Sequence, residues 1–141
     1  MQTSTMTNLE TVKQIYADFG RGDIPAILDK LSEDIRWEAW ADNRAQVAGV
    51  PWLQARRGKE GAAEFFRLVA QFQIHEFKVL SIMAGEHQVA AEFVIEATAP
   101  GTGKRYRDEE MHLWTFNESG KVIRLRHYTD TAKHIATANR G

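Results

Sequence analysis

A chain of 141 residues, 43% hydrophobic and 26% charged, is large enough to fold as one domain (1–141) around a sizeable core. Eighteen Lys and Arg against nineteen Asp and Glu leave a net charge of −1 with no long basic run, which excludes the electrostatic footprint of a nucleic-acid binder. The lack of cysteine excludes disulfides, thiolate nucleophiles and cysteine metal sites. No apolar run reaches the roughly 18 residues a membrane span needs, and the start lacks a charged-then-apolar signal pattern, so a cytoplasmic protein with no membrane partner is expected.

Residues 1–7 read as a polar lead-in. Val12, Ile15, Tyr16 and Phe19 then fall on one face of a helix, which Gly20-Arg21-Gly22 stops. Asp23 is placed to cap a second helix carrying Ile24, Ile27, Leu28 and Leu31, with Pro25 tolerated in its first turn. A short strand follows over 34–40, with Ile35, Trp37 and Ala39 on one face. Residues 41–57 lack periodicity and carry Trp52 with Arg44, Arg56 and Arg57; they read either as a binding loop or lid, or as a surface loop whose tryptophan packs down. A third helix from Lys59 presents Ala62, Phe65, Phe66, Val69 and Phe72. Strands are predicted over 74–84 and 87–98, and the tail from Thr131 has room for one or two helical turns.

The stretch from Tyr106 to Asp130 organises the rest. It alternates, turns at Asn117–Gly120 and alternates again, as a β-hairpin does. Side chains two apart share a strand face, so Tyr106, Asp108, Glu110, His112, Trp114 and Phe116 look the same way. Ionisable groups bracketed by rings suit a cavity wall better than a solvated face or a plain core. A four-residue turn would oppose His112 to Leu125, Glu110 to His127 and Asp108 to Thr129. A bulge at Gly120 would instead oppose His112 to Arg126, Glu110 to Tyr128 and Asp108 to Asp130. A two-residue repeat spans about 6.5–7 Å, wide for ligands sharing one ion, so Asp108, Glu110 and His112 predict no metal site.

The order of elements, Gly20-Arg21-Gly22-Asp23, Arg57-Gly58 and the closing GKVIRLRHYTDTA resemble the nuclear-transport-factor-2-like fold over about residues 8 to 136. Within it the chain most resembles the SnoaL-like polyketide-cyclase and ketosteroid-isomerase-related group. The resemblance implies an α+β cone: about three helices on a strongly curved, mostly antiparallel sheet enclosing an apolar pocket. It also implies a small apolar ligand, no cofactor, and a homodimer formed through the outer sheet face. The isomerase's aspartate base falls on Ala39, its helix-one tyrosine on Ile15, one residue before Tyr16, and its second aspartate on His112. Conventional steroid isomerase activity is therefore not expected. The SnoaL-like pattern is matched by a strand histidine at His112 and an aspartate at Asp130, proposed in that group as acid/base.

The resulting expectation is a cofactor-free lyase, isomerase or cyclase acting on an apolar carbonyl compound. His112 and Glu110 would move protons, aided by His127 or Asp130, between walls formed by Tyr16, Trp37, Trp52, Phe93, Tyr106 and Trp114. The opposing reading is a non-catalytic ligand-binding or dimerisation domain, with His112 and His127 structural, Glu110 paired to Arg105 or Arg126, and Asp130 a helix cap. His75, His87 and His134, near turns or in the tail, receive no role.

Overall fold

The computed structural model describes residues 7–39 and 42–139. Of the expected lead-in only Thr7 lies among them, and it is the cap of α1 (Asn8–Gly20). Its Oγ1 accepts from the Glu10 N–H at 3.1 Å, while Glu10 Oε1 accepts from the Thr7 N–H at 2.9 Å. The glycine turn after α1 is tied by Asp18, covered by its neighbours although close to the surface, which accepts from Gln14, Arg21 and Lys30. α2 (Ile24–Leu28) is shorter than its apolar pattern suggested, because Leu31 already opens β1 (Leu31–Ala39) as the register partner of Val122. Trp40, the predicted end of that strand, lies outside the described residues.

The aperiodic segment is folded rather than loose. Asn43 caps α3 (Arg44–Val47), a 3₁₀ turn spans Pro51–Leu53, and β2 (Arg56–Arg57) pairs with β1. Ala45, Val50, Trp52, Leu53 and Ala99 form a small core of their own beneath it. α4 (Gly58–Val69) begins on a positive φ of 75° at Gly58, where an added Cβ would stand 3.4 Å from the Glu33 carbonyl. Phe72 falls beyond this helix and packs edge-on to Trp52.

Four long strands follow: β3 (Gln73–Ala84), β4 (Gln88–Thr98), β5 (Arg105–Phe116) and β6 (Val122–Tyr128), then α5 (Thr131–Ala138). They form one curved, unclosed sheet in the order β2-β1-β6-β5-β4-β3, antiparallel throughout except for the parallel β1–β6 pair. The α+β architecture is as expected, with five short and medium α-helices among the described residues. The main core lies where α1, α2 and α4 meet the sheet, around Val12, Ile27, Ile35, Trp37, Phe66 and Trp114. Among the described residues no helix is long and apolar enough to cross a membrane.

Neither hairpin register drawn from the sequence is the observed one. Lys121 folds into the turn, where its N–H meets Asn117 Oδ1 and its carbonyl accepts from the Asn117 N–H, so Phe116 pairs with Val122. A bulge between Thr115 and Phe116 adds one more residue, giving Trp114 opposite Leu125 and His112 opposite His127. The slip of two from the four-residue-turn register preserves which faces meet.

Candidate active site

The even face of β5 is the buried one, carrying Tyr106, Asp108, Glu110, Trp114 and Phe116 out of solvent. The helices do not seal this face completely. Tyr16, Trp37, Phe93 and Trp114 surround a hollow of about 90 Å³ into which Glu110, His112 and His127 also project. A second hollow of about 50 Å³, walled by Trp52, Phe72, Tyr106 and His134, shares Glu110 and His127 with the first. The six wall residues read from the sequence therefore divide four and two between adjoining chambers, with the Glu110–His127 pair at their junction. Both chambers are small beside the 300–1,000 Å³ of drug-sized pockets.

Glu110 is gripped on both oxygens. His127 Nε2 lies 2.6 Å from Oε1, and His134 Nε2 lies 2.8 Å from Oε2. His127 reaches Glu110 diagonally across the hairpin, since its direct partner is His112. Burial alone would push the Glu110 carboxyl up; His127 and His134 override it and hold the group well below the usual carboxylate range. The alternative partners are engaged elsewhere, Arg105 with Glu96 and Arg126 with Glu38. His134 also lies 2.9 Å from Asp108 Oδ2, and its Nδ1 accepts from the Trp52 indole at 2.8 Å.

His134 is the residue the sequence reading passed over, and it is 1% exposed. One signal was available: with Asp130 as cap, His134 and Thr137 fall three apart on one face of α5, and both are buried. Asp130 itself does not reach either hollow. It is exposed, its side chain caps α5 through the Lys133 N–H, and its own N–H donates to Asp108 Oδ2. The acid/base role expected for it is thus replaced by the cap, because the chain turns into α5 before the carboxylate can face inward.

Hydrogen-bond direction selects one tautomer of His112, the one that gives the buried Tyr16 hydroxyl an acceptor for its proton. An indole N–H can only donate, so Trp114 Nε1 gives its hydrogen to Tyr16 Oη at 3.1 Å. Burial raises the Tyr16 phenol, which keeps its proton and donates it to His112 Nδ1 at 2.7 Å. The imidazole therefore carries its hydrogen on Nε2. Burial first, and then the neighbouring His127, push the His112 pKa well below that of free histidine despite the opposing pull of Glu110. Protein surrounds the ring, yet it keeps accessible surface, which is the surface of the hollow.

The lowered pKa has a consequence for stability. The unfolded chain takes up this proton near pH 6.5 and the folded chain does not, so the contribution of His112 is complete above that pH and is lost as pH falls below it. We predict a drop in unfolding free energy of up to about 1.4 kcal/mol per pH unit from this group. Denaturant titrations between pH 5 and 7 should show a shallower dependence in His112→Gln; equal slopes in the two proteins would contradict the buried neutral state.

Asp108, Glu110 and His134 place three ligand-type atoms within 4.8 Å of one another. The chemistry does not fit a metal. A ligating histidine usually donates its second ring N–H outward, whereas His134 Nδ1 receives a hydrogen from Trp52. Binding an ion at Nε2 would then require an imidazolate or the loss of the indole bond. The cluster reads as a proton-held carboxylate pair.

Residues 12–125 match the family model of the SnoaL-like domain. No curated protein matches the chain. Among solved structures, an NTF2-like protein from Burkholderia thailandensis E264 shares 22% identity at a TM-score of 0.80, covering 96% of this chain and 99% of its own. A candidate polyketide cyclase from Pseudomonas putida KT2440 shares 23% at 0.68, covering 94% and 98%. TerC, co-crystallised with polyporic acid, shares 21% at 0.73, covering 93% and 97%. At these identities the likeness to solved structures establishes the fold alone. The profile match spans most of the chain, and the chain belongs to the SnoaL-like domain family.

Proposed function

We propose that the protein is an acid–base enzyme that removes and returns a proton beside the carbonyl of a compact, apolar small molecule. The observation that carries this reading is the 2.6 Å contact between Glu110 Oε1 and His127 Nε2 at the wall of an apolar hollow. With its Nε2–H donated to Glu110, His127 holds its other lone pair on Nδ1, ready to take a proton. His112, kept neutral with its hydrogen on Nε2, supplies a donor to the substrate oxygen as negative charge develops there. The two rings are 4.8 Å apart, so one bound carbonyl compound can meet both.

In this scheme the Cα–H electrons pass to the carbonyl oxygen, the proton passes to His127 Nδ1, and His112 steadies the enolate. Return of the proton at another carbon is isomerisation, expulsion of a β-substituent is elimination, and attack on a second carbonyl is cyclisation. Ala39, where the isomerase resemblance puts the base, is the register partner of His127, so the neighbouring strand brings an imidazole to the same level of the sheet.

The reading is tested by proton–deuterium exchange at the α-carbon of cyclohexanone and 1,3-cyclohexanedione, followed by NMR in D₂O. Exchange above the buffer rate, lost in His127→Phe, is expected. A second reading, a non-catalytic binder, draws on the fact that Glu110 and His112 already have protein partners. Saturable binding of these ketones without exchange would select it.

A further inference from the structure

The geometry points to His134 as a positioning residue: fixed by the Trp52 indole, it holds the Glu110 carboxylate in the orientation that presents Oε1 to His127 Nε2, and so sets which nitrogen of His127 faces the hollow. The inference deepens the acid–base reading above and rests on it for its functional meaning, while its physical content is a tautomer pattern in the free protein.

The chain of bonds has one end that cannot reverse. Trp52 Nε1 has a hydrogen and no lone pair to offer, so at 2.8 Å His134 Nδ1 must be the bare, accepting nitrogen. The hydrogen of the neutral ring is then on Nε2, between Glu110 Oε2 at 2.8 Å and Asp108 Oδ2 at 2.9 Å. That bond turns the Glu110 carboxylate so that Oε1 meets His127 Nε2 at 2.6 Å. His127 therefore donates from Nε2, which leaves Nδ1 as the nitrogen free to meet a substrate. Trp52 and His134 are 82 residues apart in the chain and touch no part of the first hollow, yet the contacts that hold the Glu110–His127 pair at its wall begin with them.

Two pulls act on His134. Burial favours the neutral ring, and Asp108 and Glu110 favour the cation and pull the pKa upward; the indole hydrogen given to Nδ1 is what holds the ring neutral at pH 7. Trp52 opposes the cation, because a proton on Nδ1 would face the indole N–H. Lys133 adds little to the balance: its ammonium is on the Arg107 carbonyl, 3.9 Å from Asp108 Oδ1. Tyr106, edge-on to His134, keeps its phenol proton, raised by burial and the two carboxylates. Removing the Trp52 donor alone should thus let His134 become an imidazolium. Glu110 would then be compensated from the His134 side, and its hold on the His127 N–H would weaken.

The test is histidine ring nitrogen–proton correlation NMR on the full chain, on the parent, Trp52→Phe, His134→Gln and His134→Leu. In the parent at pH 7, His134 and His127 should each show one protonated and one bare nitrogen. Trp52→Phe keeps a ring against Phe72, 5.0 Å away in the parent. In it both His134 nitrogens should be protonated at pH 7, and His127 should become a mixture of tautomers. Glutamine can accept from Trp52 and donate to the carboxylates, so His134→Gln should keep the parental His127 pattern, whereas His134→Leu should lose it. A doubly protonated His134 in the parent, or a parental His127 pattern in both Trp52→Phe and His134→Leu, overturns the proposal. If Trp52→Phe fails to fold, the glutamine and leucine pair decides alone: rescue by glutamine supports it, and identical His127 spectra overturn it. Loss of ketone exchange leaves these spectra untouched, so failure of the catalytic reading is distinguishable.

Discussion

Replacement of Glu110 by glutamine should lower the α-exchange rate about 10³-fold, inside the 10²–10⁴ range of general acid–base contributions. The side chain keeps its size, so the effect comes from hydrogen-bond arithmetic. Two imidazole nitrogens now point at two acceptor oxygens, and an amide supplies only one acceptor. If the amide oxygen serves His134, its NH₂ faces His127, which must then expose its hydrogen to the hollow instead of its lone pair. If the oxygen serves His127, the NH₂ faces the His134 N–H, and Trp52 prevents that ring from turning its lone pair around; Asp108 Oδ2 can still accept that N–H, so the amide hydrogen is the donor left over. Glu110 is 4% exposed, so a donor left without an acceptor here costs about 1–3 kcal/mol. Denaturant midpoints and exchange rates on the same samples should both fall. A stable variant exchanging at the parental rate would remove Glu110 from the mechanism.

Much of this arrangement was legible in the chain because β5 alternates without interruption. Its period of two decides that Asp108, Glu110 and Trp114 share a buried face whatever pairs with them, and a slip of two residues leaves that parity intact. The Glu110–His127 contact was expected as a direct pair and occurs as a diagonal one for that reason. The register itself was not legible, since it depends on Lys121 joining the turn and on one bulged residue, and neither leaves a mark in hydrophobic period. The sequence leaves Trp52 open as part of a lid or as a packed-down ring; it is 7% exposed and packed down, and its indole is committed to a histidine far along the chain. A hydrogen bond across 82 residues has no local signature, so the tail that delivers His134 looked inert. Asp130 shows the converse: its helix-cap pattern was local and readable, and it outweighed the role that the family resemblance suggested.

Trp114→Ala should cost about 4 kcal/mol of folding stability, as large aromatic-to-alanine changes in cores do. The indole is 2% exposed and stands edge-on to Tyr16, Trp37 and His112, with ring centroids 5.5–6.0 Å away. Against a total of about 5–15 kcal/mol for a typical domain, the loss would leave a marginal protein. Trp114→Phe separates packing from direction: it keeps a ring in place but removes the hydrogen given to Tyr16 Oη. Without that fixed donor the phenol can rotate, direct its own hydrogen elsewhere and accept from His112, so the ring loses one of the constraints that keep its hydrogen on Nε2. The expected result is a folded variant, at a cost nearer 1 kcal/mol for one lost hydrogen bond, in which ring-nitrogen NMR finds His112 in both tautomers. Ketone exchange should fall in proportion to the population with Nε2 bare. A single unchanged His112 tautomer in this variant would mean that Tyr16 alone sets the ring, and the tryptophan would then matter to the hollow only as a wall.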